Sequence, residues 1–180
     1  KGKTNGGELL SSYKLRSQHR HGYAFFPHIA ERDTHYGTYE MKRFITRSGK
    51  RFKKLYRRSV IGVGNVSAKD GGKIKWSASH QTGRDVDFAM FALDHRGRSV
   101  NPKDYSYYDK DAKSRTGLVF DTKRNLALVR VLLTDPEYQV QWIFVARWLK
   151  SRMINEAKRQ NLDPSLITRM QKVMKQPGDS

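Results

Sequence analysis

Residues 77–91 read Ser77-Ala78-Ser79-His80-Gln81-Thr82-Gly83-Arg84-Asp85-Val86-Asp87-Phe88-Ala89-Met90-Phe91. The stretch sets His80 and Asp87 seven positions apart around Gly83, just ahead of an apolar run. Imidazole and carboxylate are preferred zinc donors, and a zinc ion that works on water takes about three protein ligands with one position open. The pair therefore has the make-up of two-thirds of such a site.

On one continuous helix the two residues would stand roughly 10 Å apart along the axis, and on a fully extended chain more than roughly 20 Å. Neither spacing lets both touch one ion at about 2 Å. The chain must fold back between them, and Gly83, free to take positive φ, is the expected place. Beyond it, Asp85, Asp87, Ala89 and Phe91 alternate with Val86, Phe88 and Met90. That period of two predicts a strand with apolar residues on both faces, Asp87 projecting from it and His80 coming from the loop before.

Spacing alone leaves other readings open. A His in a polar loop is most often an ordinary hydrogen-bonding residue. Asp85 and Asp87 would lie on one strand face about 6.6 Å apart, which suits the magnesium pair of a nuclease or a structural turn equally well.

The run Ser79-His80-Gln81-Thr82-Gly83-Arg84-Asp85-Val86-Asp87 resembles the signature of the penicillin-insensitive murein endopeptidase family, a branch of the metallopeptidases that includes lysostaphin-type and D-Ala-D-Ala peptidases. Tyr36-Gly37-Thr38, Gly71-Gly72, Phe120-Asp121 with Arg124-Asn125, Val140-Gln141-Trp142-Ile143-Phe144-Val145 and Gln176-Pro177-Gly178-Asp179-Ser180 follow in the family's order, so the resemblance covers most of residues 22–180. It implies a LAS/hedgehog-like α+β fold and a Zn2+-dependent peptidase that cuts cross-links of bacterial peptidoglycan, amide bonds of the D-alanyl to meso-diaminopimelate type. His80 and Asp87 would be its zinc ligands, and Gln81 and Asp85 would lie around them or against substrate. A periplasmic or secreted location follows from that substrate.

Two features depart from the family's pattern. Members carry a further His three positions before the first ligand, where Ser77 stands here. Their third ligand is the last His of a His-x-x-His-x-His stretch expected shortly after residues 176–180, so the expectation is a native protein that continues past Ser180, and no catalytic base is assigned within these residues. His19-Arg20-His21 has the His-x-His form, and on a strand both side chains would share a face. A solvated basic segment is the simpler reading of it.

The length of 180 residues suits one domain, able to bury about 70% of its unfolded surface. Residues 1–12 are polar and Gly-rich and are expected to form a mobile arm, with the domain spanning 13–180. Absence of cysteine excludes disulfides and thiolate metal sites within the chain. No apolar run is long enough for a transmembrane helix.

Charge is the second strong feature: 36 Lys and Arg against 17 Asp and Glu give a formal +19 and a pI near 10.3. A polyanionic partner is expected, either the anionic bacterial wall or nucleic acid. Lys42, Arg43, Arg47, Lys50, Arg51, Lys53, Lys54, Arg57 and Arg58 crowd residues 41–60 without one acid. Met41, Phe44, Ile45, Phe52, Leu55 and Tyr56 recur beneath them at helical spacing, with Ser48-Gly49 the point at which such a helix would divide.

Further along, residues 60–66 predict a short strand whose Gly62 and Gly64 mark close backbone packing. The Tyr105-Ser106-Tyr107-Tyr108 cluster fits a core edge better than a binding groove. Asp121 or Thr122 caps a helix that ends before Pro136, residues 140–146 alternate as a strand, a helix carries Trp148, Leu149, Met153 and Ala157, and Asp163-Pro164 starts another. The sum is an α+β domain with a small, mainly antiparallel sheet bearing the site. Alternatives of other classes are a magnesium-dependent nuclease using Asp85 and Asp87, and a non-catalytic module binding the wall or another polyanion.

Overall fold

The computed structural model describes residues 2–3, 6–75, 77 and 79–177. The chain divides into two compact units, one running to Ala89 and including Asn101–Tyr105, the other made of Met90–Val100 and the chain from Ser106 onward.

The first unit contains β1 (Gly2–Lys3), β2 (Gly6–Gly7), β3 (Tyr13–Lys14), β4 (Tyr23–Phe25), α1 (Pro27–Glu31), β5 (Tyr36–Gly37), α2 (Tyr39–Leu55) and β6 (Ile61–Val63). β1 pairs antiparallel with β2 and β3 with β5, while β4 and β6 run parallel. Leu9 is buried, and its N–H donates to the Asp70 carbonyl at 3.1 Å. The Thr38 hydroxyl accepts the Met41 N–H at 3.2 Å and caps α2. Met41, Phe44, Ile45 and Phe52 are buried as their spacing predicts, but Leu55 is 59% exposed. Leu55 falls on the helix's last residue, after which the chain leaves helical geometry at Tyr56.

α2 runs unbroken through Ser48-Gly49. The glycine is there for contact: a Cβ on Gly49 would lie 2.4 Å from the His21 carbonyl oxygen, and one on Gly22 would lie 2.7 Å from the Gly49 carbonyl oxygen. Backbone meets backbone at this crossing. Ala is intrinsically a better helix residue than Gly by roughly 1 kcal/mol, yet Gly49→Ala is expected to destabilise the protein by about 1–3 kcal/mol through overpacking. Urea unfolding midpoints of the two proteins check this.

The second unit contains β7 (Ala92–Leu93), β8 (Ser99–Val100), β9 (Val119–Phe120), α3 (Thr122–Leu133), β10 (Ile143–Phe144), α4 (Arg147–Arg159), α5 (Pro164–Val173) and β11 (Met174–Lys175). β7 is the central strand of an antiparallel sheet with β8 and β9, and β10 pairs parallel with β11. Its core gathers Phe120, Leu126, Val129, Leu133, Leu149, Met153, Ala157, Met170 and Met174. Asp121 accepts the Arg124 N–H at 3.1 Å and Asp163 the Ser165 N–H at 2.7 Å, so both predicted caps are in place.

The described residues thus form five α-helices and several small sheets with antiparallel and parallel pairings, a mixed architecture compatible with α+β. The expected strand over 85–91 is much reduced: only a bridge between Phe88 and Val63 remains. Asp87 donates its N–H to the Asn65 carbonyl at 3.0 Å and accepts from the Gly64 N–H at 2.9 Å, and Ala89 donates to Gly62 at 2.9 Å. Pairing stops on both sides for identifiable reasons. Before it the chain turns at Gly83, and after it the Asn125 side chain accepts the Phe91 N–H in place of a strand partner. The expected strand over 140–146 is likewise limited to β10.

Candidate metal centre

The loop that carries His80 sits in the first unit, against β5 and the segment that follows β6. Gly83 takes φ 66° as expected, and a Cβ there would meet the Gly37 Cα at 2.9 Å. The Gly83 carbonyl accepts the Thr38 N–H at 3.2 Å, which ties the loop to the start of α2. His80 itself lies in the left-handed region at φ 65°. A β-carbon makes that conformation costly, by about 1–2 kcal/mol, and surrounding contacts hold it. The His80 N–H donates to Asp85 Oδ2 at 3.2 Å, so Asp85 fixes the backbone of the loop rather than joining the imidazole.

The His80 side chain is 95% buried, and its two ring nitrogens both face oxygens. Nδ1 lies 3.2 Å from the Val66 carbonyl oxygen and Nε2 lies 3.1 Å from Asp87 Oδ1. The other carboxylate oxygen of Asp87 accepts from the Tyr105 hydroxyl at 3.2 Å and the Asn65 side-chain amide at 3.3 Å. The Tyr105 oxygen in turn accepts the Asn65 backbone N–H at 3.3 Å. Gly64 makes room for this: a Cβ there would fall 1.4 Å from the Tyr105 hydroxyl oxygen. The close packing expected at Gly62 and Gly64 is present, Gly62 lying against the Phe26 ring.

These contacts set the protonation of the pair. Burial works against a charged imidazole, but the hydrogen bond to Asp87, the charges of Asp87 and Asp85 and the Val66 carbonyl outweigh it, and the His80 pKa rises above 6.5. Burial likewise opposes ionisation of Asp87, and the bond and charge of His80, with Asn65 and Tyr105, overcome it, so its pKa falls below 3.8. Burial and the Asp87 charge push the Tyr105 hydroxyl upward, keeping it a donor at neutral pH. In the metal-free protein the His80 contribution to stability is complete below about 6.5 and fades as pH rises through its raised pKa. The Asp87 contribution is present above 3.8 and fades as pH falls through its lowered pKa. The pair is therefore expected to stabilise the metal-free protein most between about pH 4 and 6.5, and urea midpoints measured across pH should show that maximum flattened in Asp87→Asn.

A protonated imidazole donates to both oxygen neighbours, whereas a neutral one has a single N–H and serves only one, so a metal ion at Nε2 can take the place of the second proton. Two donors of one tetrahedral zinc at about 2.0–2.1 Å stand roughly 3.3 Å apart. The Nε2 to Oδ1 separation matches that edge. A ring whose far nitrogen is fixed by a backbone carbonyl is also the usual arrangement of a metal-binding histidine. The residues present thus fit two of the ligands of such an ion.

The other sequence candidates fall elsewhere. Gln81 is buried, with its carbonyl accepting the Gly72 N–H at 3.0 Å. Ser77 has its hydroxyl 3.3 Å from that of Ser79. His19 and His21 occupy a single 3-10 turn rather than a strand, and His28 and His35 lie beside Asp104 and Asp33. No group of three His, Cys, Asp or Glu side chains that could hold an ion occurs among the described residues. Residues 178–180 of the terminal marker lie outside the described residues. Asn65 and the Val66 carbonyl carry no sequence signal of a place in the site, and Tyr105, whose cluster fits a core edge better than a binding groove, donates to Asp87. Gly64 was the one local sign of something packed tightly there.

A family model described as penicillin-insensitive murein endopeptidase matches residues 4–175. The chain belongs to this family. No individually curated protein matches it. By family it is a murein endopeptidase, an enzyme acting on peptidoglycan, and so a cell-wall-acting protein. Among the described residues no helix is long and apolar enough to cross a membrane. The matched span includes the sequence markers around residues 36–38, 71–72 and 79–87 in the first unit and 120–125 in the second. Their roles differ: the first set builds the His80–Asp87 loop, and the second clamps β7 to α3.

Proposed function

We propose that this murein endopeptidase is a zinc metallopeptidase in which His80 and Asp87 are two of the metal ligands, and that it hydrolyses peptide cross-links of the D-alanyl to meso-diaminopimelate type in the periplasm or outside the cell. The observation that carries the reading is the approach of His80 Nε2 to Asp87 Oδ1 at 3.1 Å, with the remaining polar atoms of both side chains already engaged. The first unit would then follow the LAS-type arrangement. When bound, zinc supplies Lewis acidity, polarising a scissile carbonyl and acidifying water near neutral pH.

The chain's own residues do the positioning. Val66 orients the imidazole so that Nε2 faces the ion, Asn65 and Tyr105 hold one Asp87 oxygen so that the other is presented, and Asp85 fixes the loop backbone. The magnesium reading of Asp85 and Asp87 would use a carboxylate of which one oxygen already accepts the His80 N–H. Elemental analysis paired with release of cross-linked muropeptides tests the proposal: stoichiometric zinc, activity lost to a chelator and restored by zinc support it. Activity that survives complete metal removal contradicts it.

Tyr105→Phe is expected to weaken zinc binding by about 10–100-fold, the usual effect of losing a partner that orients a ligand. The fold should be kept, since only the hydroxyl is removed. Competitive titration with a metal chelator of known affinity measures the change.

A further inference from the structure

We propose that the shallow groove between the His19–His21 turn and the C-terminal half of α2 docks the carboxylates of peptidoglycan stem peptides, holding the wall while a cross-link is cut at the His80–Asp87 site. The proposal rests on the murein-hydrolase reading and extends it to a second contact with the same polymer.

The groove has a volume of about 500 Å³ and is lined by Arg20, His21, Lys50, Lys53, Lys54 and Arg57, with no acid among them. It exists because Gly22 and Gly49 let the turn press onto α2. One base helps to build it: Lys53 Nζ donates to the His19 carbonyl at 2.8 Å. Lys50, Lys53 and Lys54 follow the i, i+3, i+4 spacing of one face of α2, and Arg57 lies just beyond its last residue. Like charges at this spacing repel and lower helix stability, and only those near the C-terminus gain from the helix dipole. An anionic occupant relieves the repulsion.

The chemistry of the lining narrows the occupant. His21 is the one ring in the lining, which contains no Phe, Tyr or Trp, and so lacks the succession of aromatic platforms on which single-stranded nucleic acid stacks its bases. A polymer with regularly repeated carboxylates needs only the charges. Peptidoglycan is such a polymer, and it is the substrate class of the family. Geometry also separates the groove from the metal centre. The Thr38 end of α2 touches the Gly83 loop, and Lys50 to Lys54 lie roughly 20 Å further along the same helix at about 1.5 Å per residue. The two contacts can therefore engage different parts of one wall fragment.

The test compares the wild-type protein with the triple variant Lys50→Gln, Lys54→Gln, Arg57→Gln on two substrates, intact sacculi and a short soluble cross-linked peptide dimer. Sacculus binding by wild type should weaken as salt rises. The triple variant should lose on the order of tenfold in sacculus affinity, with KM raised on sacculi and turnover of the soluble dimer unchanged. Arg20→Gln, from the other wall, should give a smaller loss of the same sign. Unchanged sacculus binding in the variants, or equal losses on both substrates, overturns the proposal. So does tighter binding of wild type to duplex DNA than to sacculi through the same three residues. Sacculus binding is read by sedimentation without cleavage, so failure of wild type to cut either substrate would defeat the peptidase reading while leaving the docking result interpretable.

Discussion

Asp87→Ala is expected to abolish cleavage of cross-linked peptidoglycan while leaving the protein folded. The drop should far exceed the roughly 10–100-fold that follows loss of an orienting partner, because under the proposed zinc reading the substitution removes a donor of the ion itself. Structural damage should be small. Asp87 holds its place through backbone bonds to Asn65 and Gly64, which alanine retains. The imidazole left behind loses the carboxylate that raised its pKa and becomes neutral more readily, which limits the cost of leaving it buried. Turnover of a soluble cross-linked dimer, with circular dichroism and the unfolding midpoint as controls, measures the effect. Substantial residual turnover in this variant would remove Asp87 from the machinery.

The largest expected effect on stability comes from Asn125, which takes no part in the chemistry. It is almost wholly buried, accepting the Phe91 N–H and donating to the Phe91 carbonyl, each at 2.9 Å. The carbonyl has a second donor in the Asp121 N–H at 3.0 Å. Asn125→Ala removes both bonds to the Phe91 backbone and opens space beside α3, at a combined cost of about 2–4 kcal/mol. Denaturant unfolding of the variant tests it. Sacculus cleavage per folded molecule should change far less than in Asp87→Ala.

Much of this organisation was legible because it is local. The caps at Asp121 and Asp163, the glycine turn between His80 and Asp87 and the buried stripe of α2 each depend on residues within a few positions of one another. The extent of the strands was not legible, because strand length depends on what lies alongside. Residues 85–91 alternate as a strand should, yet pairing ends where Asn125 replaces a neighbouring strand at Phe91. The support of the His80–Asp87 pair was hidden for the same reason. Asn65 and Tyr105 reach Asp87 from 22 and 18 positions away, and no periodicity connects them. The positive φ of His80 also escaped notice, since glycine nearby was the natural candidate for that conformation.

The central claim is that one cation is shared by His80 and Asp87, and an anomalous-difference map at the zinc absorption edge tests it most directly. Crystals of the zinc-loaded protein should show a peak at about 2.0–2.2 Å from both His80 Nε2 and Asp87 Oδ1. A zinc peak elsewhere, with the imidazole still hydrogen-bonded directly to the carboxylate, would contradict the account.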